Sequence, residues 1–158
     1  MRWILMGRKQ VAGWALEFLL ERGHEVPLVV SSEEGPERPL ETVAKQCGIA
    51  VLGDEEVYAE LARGSIRVDV AVSYLHKRRI RRALMEAPRL GCFNFHPAPL
   101  PEMRGVGGYN FAILENRDRY GVSVHWVSEE VDAGDLVWVR RFAIEPSQET
   151  AWWLERKA

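Results

Sequence analysis

The sequence predicts an α/β fold: a mostly parallel twisted sheet with helices on both faces and an antiparallel strand pair near the C-terminus. Three observations carry this. Short apolar runs alternate with helical patterns from residue 3 to residue 95, the rhythm of strands joined by crossover helices. Apolar runs of this kind suit parallel strands buried on both faces. Residues 121–127 and 135–143 are two strand-like runs joined too briefly for a parallel return, so they should pair antiparallel.

The elements follow in order. Trp3 to Met6 is a buried strand. Residues 10–22 place Val11, Ala15, Phe18 and Leu19 at helical spacing, and Gly23 offers a left-handed C-terminal cap. Val26 to Val30 is a strand, and Ser31 to Pro39 is a polar loop with Gly35 and Pro36. A short helix over 40–47 ends near Gly48, and Ile49 to Leu52 is a strand. Asp54 is suited to cap the next helix, with Glu55 and Glu56 in its first turn. That helix ends near Gly64, Val68 to Val72 is a strand, and residues 78–86 form a basic helix. Cys92 to Phe95 is a strand that runs into a proline-rich loop. Gly107 to Glu115 is helical, and Ser147 would cap a last helix over 148–157 in which Trp152, Trp153 and Leu154 pack.

With 158 residues, the chain is expected to be a single domain over 1–158, although its abrupt end leaves open a longer natural protein. A net charge of -2 gives no footprint for general nucleic-acid binding. The local cluster Lys77, Arg78, Arg79, Arg81 and Arg82 is taken as a solvated helix face. Cys47 and Cys92 lack metal or redox spacing and are expected to be buried thiols in a reducing compartment. No run is long enough to span a membrane, and the N-terminus resembles a strand rather than a signal peptide. The expected location is therefore cytoplasmic.

The densest chemical signal is Asn94-Phe-His96-Pro-Ala-Pro-Leu-Pro101, followed by Arg104-Gly105. Strand alternation puts Asn94 and His96 on one face, at the C-terminal end of a presumed parallel strand, where open α/β sheets bind ligands. Pro97 favours extended geometry at His96, and the prolines beyond it stiffen the loop. An amide beside an imidazole suits acyl transfer: one donates to a developing oxyanion, the other donates or shuttles a proton. A second signal is Gly121-Val-Ser123-Val-His125, then Asp132-Ala-Gly134, where Ser123 and His125 share a strand face and Asp132 precedes a turn.

Taken in order, these motifs resemble the signature of the folate-dependent formyltransferases, which include methionyl-tRNA, glycinamide ribonucleotide and sugar-nucleotide N-formyltransferases. The similarity is clearest from Val68 to Phe142. The resemblance implies a Rossmann-like domain and 10-formyltetrahydrofolate as formyl donor, with no metal. It carries over Asn94, His96 and Asp132 as the catalytic trio, with His125, Ser123, Arg104 and Gly105 in support. It implies that the pterin ring rests against Tyr74, Leu75, His76, Lys77, Arg78, Arg79 and Ile80, and against Val127 to Asp132 with Glu130 and Val131. It also implies a cis Leu100–Pro101 bond.

The expected partner is a small-molecule amine acceptor; a homodimer is left open, and no membrane partner is expected. Gly7 to Gly13 is neither GxGxxG nor a glycine-dense phosphate cradle, which counts against a glycinamide ribonucleotide acceptor. Gly105-Val-Gly-Gly-Tyr109-Asn110 is more similar to the sugar enzymes, which favours a nucleotide-linked amino sugar. Two alternatives stand beside this: a non-catalytic folate-binding module, and a metal-dependent hydrolase using His96, His125 and Asp132.

Overall fold

In the computed structural model, which describes residues 1–158, strand β1 (Arg2–Gly7) lies between two parallel partners. β2 (Glu25–Ser31) sets Val29 beside Leu5, and β4 (Val70–Tyr74) sets Val72 on its other side. β3 (Ala50–Leu52) continues the row with Val51 beside Val29. The order is β3-β2-β1-β4, with β5 (Gly91–His96) beyond β4. By backbone proximity the chain forms two units, Met1–Asn94 and Phe95–Ala158.

In the first unit, Leu5, Val29 and Val72 pack on α1 (Lys9–Glu21) and α2 (Pro39–Gln46) through Ala12, Leu16, Leu19, Leu40, Val43 and Ala44. Strand pleating turns Ile4, Met6, Leu28, Val30 and Ala71 the opposite way, and they are equally buried. This sheet is therefore covered on both faces, as expected of parallel strands.

Several expected details differ. The buried stripe of α1 is Ala12, Gly13, Leu16 and Leu19, while Phe18 is 52% exposed. The strand-to-helix turn explains the rotation. A Cβ on Gly7 would lie 2.7 Å from the Tyr74 carbonyl oxygen and 2.8 Å from the Ala12 Cβ, so the small Ala12 must face inward there. At the far end of α1, Gly23 (φ 73°) donates to Leu20 O and His24 to Leu19 O, satisfying two terminal carbonyls. α3 (Asp54–Ala62) is capped from Gly53, whose N–H donates to Glu56 at 2.7 Å. Asp54 is instead inside the helix and free to bind His76. The expected basic helix shrinks to α4 (Arg82–Glu86). The residues before it are tied down: Arg81 N donates to the Tyr58 hydroxyl, and Lys77 and Arg81 pair with Glu34 and Glu55. The basic cluster is thus largely charge-matched on the surface. Cys92 is buried and its thiol is pushed up to about 12 by desolvation, but Cys47 is exposed, contrary to expectation.

In the second unit, β6 (Arg119–Trp126) and β7 (Leu136–Ala143) pair antiparallel, with Tyr120 opposite Phe142 and Val124 opposite Trp138. α5 (Gly108–Leu114) and α6 (Ala151–Lys157) complete it. Ala98, Met103, Ala112, Tyr120, Ile144 and Leu154 form its core. The cap of α6 is Thr150, not Ser147: its Oγ1 accepts from Trp153 N at 3.3 Å. Only Leu154 of the expected trio is buried; Trp152 and Trp153 face solvent. No helix is long and apolar enough to cross a membrane.

Candidate functional site

β5 ends at His96, and the chain then enters Pro97-Ala98-Pro99-Leu100-Pro101, with a cis Leu100–Pro101 bond. The loop turns back so that Met103 N donates to Pro99 O at 3.0 Å. This brings the Met103 carbonyl oxygen within 2.8 Å of His96 Nε2 in buried surroundings. A carbonyl only accepts, so Nε2 carries a proton and donates it. The other ring nitrogen, Nδ1, lies 3.5 Å from Asp132 Oδ2.

Asp132 sits at φ 51°, in the left-handed region that few non-glycine residues adopt. Its carboxylate is nearly enclosed. Gly105 N–H donates to Oδ2 at 2.9 Å, and His125 Nε2 lies 3.4 Å from Oδ1. The second nitrogen of His125, Nδ1, donates to Trp126 O at 2.8 Å. One carboxylate therefore lies between two imidazoles, each with its remaining nitrogen pinned to a backbone carbonyl. The rings are edge-on, with centroids 6.3 Å apart.

Burial alone would raise the Asp132 pKa. The hydrogen bond with His125, the charge of His96 and the Gly105 N–H outweigh it and hold the carboxyl below its ordinary range. A depressed carboxylate stabilises the fold above its unfolded pKa of about 3.9, and that contribution is lost as pH falls through the folded value. Asp132→Asn should accordingly flatten the loss of stability on acidification. Urea midpoints measured from about pH 6 to about pH 2 check this; parallel curves for parent and variant would refute it.

The expected site residues fall into three groups. His96, Asp132 and His125 come together as side chains, and Gly105 joins them through its backbone. Ser123, 1% exposed, bonds the loop at Ala98 O and Leu100 N. Arg104 is exposed and takes no part in these hydrogen bonds. Asn94 is half-buried on β5, two residues before His96. Of the segment expected to meet a pterin, Tyr74 to Ile80 lies in the first unit and Val127 to Val131 in the second. Leu75 has φ 57° and its carbonyl accepts from Arg8. Lys77 pairs with Glu34, Arg78 and Arg79 are exposed, and Ile80 is buried. Val127 is half-buried, while Glu130 and Val131 are exposed.

Sequence reasoning missed the carbonyls of Met103 and Trp126 and the hydroxyl of Tyr120, which donates to Pro97 O at 2.6 Å. Backbone carbonyls carry no residue signature, so no motif announces them. It also missed the bond between His76 Nε2 and Asp54 Oδ1 at 2.9 Å. No group of three or more His, Cys, Asp or Glu side chains is arranged as a metal site.

The formyl transferase family model matches residues 19–158. The methionyl-tRNA formyltransferase of Bacillus velezensis is 30% identical over 147 residues, covering 86% of this chain and 46% of that protein. The chain thus spans about half the length of the curated relatives it matches. The crystal structure of phosphoribosylglycinamide formyltransferase from Bacillus halodurans superposes with a TM-score of 0.82 at 23% identity, covering 99% of this chain and 87% of that one. WlaRD, a sugar 3N-formyl transferase solved in the presence of dTDP and 5-N-formyl-THF, gives a TM-score of 0.79 at 20% identity, with coverages of 99% and 57%. At these identities the two structures establish the Rossmann-like fold.

Proposed function

Since the chain belongs to the formyl transferase family, we propose that it moves a formyl group from 10-formyltetrahydrofolate to an amine, with a nucleotide-linked amino sugar as the acceptor class. The observation that carries this is the pairing of His96 with Asp132. With Nε2 donating to Met103 O, His96 turns Nδ1 towards Asp132 Oδ2 across 3.5 Å. An imidazole and a carboxylate so placed form a path along which a proton from an attacking amine can be taken up.

The folate donor supplies a formyl carbon on a nitrogen leaving group. Asn94 donates its amide N–H to the formyl oxygen as negative charge develops there. Asp132 and His96 accept the proton released as the new C–N bond forms. His96 returns a proton to the departing folate nitrogen as the old C–N bond breaks. His125 and Gly105 keep the Asp132 carboxylate ionised and oriented.

His76 supports the donor assignment. Its side chain is 2% exposed and its Nδ1 finds no hydrogen-bond partner. Burial holds this imidazole below its ordinary pKa even though Asp54 pulls the other way. Its Nε2 donates to Asp54, which leaves Nδ1 a buried acceptor in want of an N–H. A pterin ring carries such donors. The acceptor class rests on Gly105 to Asn110, which resembles the sugar enzymes, and on the lack of a glycine-dense cradle at Gly7–Gly13.

The test is incubation with 10-formyltetrahydrofolate and a panel of amines: dTDP-linked amino sugars first, then glycinamide ribonucleotide and methionyl-tRNA. Amine-dependent release of tetrahydrofolate with a formylated product is expected. Folate binding without transfer to any amine would overturn the reading in favour of a binding module.

A further inference from the structure

The loop after His96 has an unusual shortage of backbone donors. Pro97, Pro99 and Pro101 have no N–H, so Ala98 and Leu100 alone supply donors over those five residues. A segment this poor in donors cannot fix its own shape by backbone pairing and needs outside partners. β6 provides them. The Ser123 hydroxyl accepts from Leu100 N at 2.9 Å and donates to Ala98 O at 2.8 Å, so its two bonds bracket Pro99. Pro99 in turn accepts from Met103 N, and Met103 O accepts from His96 Nε2. Tyr120, fully buried, adds the bond from its hydroxyl to Pro97 O. Hydrogen bonds alternating with short steps of backbone thus lead from the Ser123 hydroxyl to the His96 ring.

We propose that Ser123 is a positioning residue that decides which nitrogen of His96 carries the proton. By bracketing Pro99 it holds Met103 O against Nε2, which in the neutral ring keeps the proton there and leaves Nδ1 as the acceptor facing Asp132. The side chain must both donate and accept, which a hydroxyl does and an alanine cannot. The kinetic consequence rests on the formyl-transfer reading above; the tautomer itself does not.

The experiment separates the two. The full chain is labelled with 15N-histidine, and His96 is assigned by its disappearance in His96→Gln. In the parent, Nε2 gives a protonated, pyrrole-type signal and Nδ1 a pyridine-type signal at a pH where the ring is neutral. In Ser123→Ala the two signals should move towards each other as the tautomers mix. Ser123→Thr keeps the hydroxyl and should restore the parent spectrum. Tyr120→Phe, which removes one bond and almost no volume, should shift the signals the same way by less. In the transfer assay, Ser123→Ala should lower kcat by about 10- to 100-fold with KM for the folate donor nearly unchanged. His96 staying in the Nε2–H tautomer in folded Ser123→Ala overturns the proposal. If that variant does not fold, an unchanged His96 spectrum in Tyr120→Phe overturns it instead. Tautomer mixing in a chain whose parent transfers no formyl group would sink the functional reading and leave this one standing.

Discussion

His96→Ala is expected to lower formyl transfer by about 100- to 1,000-fold, and Asp132→Asn by a similar factor, while KM for the folate donor changes little. Both substitutions strike the proposed proton path. Alanine removes Nδ1 and leaves Met103 O without its donor. Asparagine keeps the size of Asp132, and its oxygen can still accept from Gly105 N–H at the Oδ2 position. Its NH2 then occupies the Oδ1 position beside His125 Nε2. The variant should fold, yet it offers no carboxylate to the attacking amine. A loss in kcat alone marks a group used in the transition state rather than in binding. Steady-state rates of tetrahydrofolate release measure both variants. Parent-level kcat in either one would remove that residue from the mechanism.

The second large effect concerns stability. A Cβ built on Gly134 would lie 1.8 Å from the Trp126 carbonyl oxygen and 2.8 Å from its carbon. Neither atom can yield cheaply, because Trp126 N is itself bonded to Asp135 O at 2.9 Å and Trp126 O accepts from His125. Gly134→Ala must therefore push the 131–135 turn outward, at about 2–3 kcal/mol or more. The same shift carries Asp132 away from His125, so activity should fall along with stability. Urea denaturation measures the first effect and the transfer assay the second. A midpoint and rate equal to the parent's would mean the turn has slack that the close approach denies.

Gly134 also shows how far the sequence can be read. The Asp-x-Gly pattern correctly marks a turn, but the residue with positive φ is Asp132, and Gly134 is needed for space beside a carbonyl. The strand–helix order and the β6–β7 hairpin were legible because burial imposes periodicity. The face of α1 was not, because Val11, Trp14 and Phe18 make it apolar on several sides and the Gly7 turn selects among them. Asp54 looked like a cap because acids favour first turns, yet its partner His76 is 22 residues away and no local rule sees it. The resemblance carried by the ordered motifs implied a site of Asn94, His96 and Asp132 with His125 in support, and the last three of these meet. The pinning of both rings by backbone carbonyls was not legible, since any residue at 103 or 126 has a carbonyl to offer.

The groups that contact Asp132, and those that hold the loop beside it, all come from residues 96–132. The groups proposed to handle the proton thus come from one short stretch of chain and close over small loops. Under the proposed function, the acceptor can then be set by residues beyond Asp132 without rebuilding the groups that handle the proton.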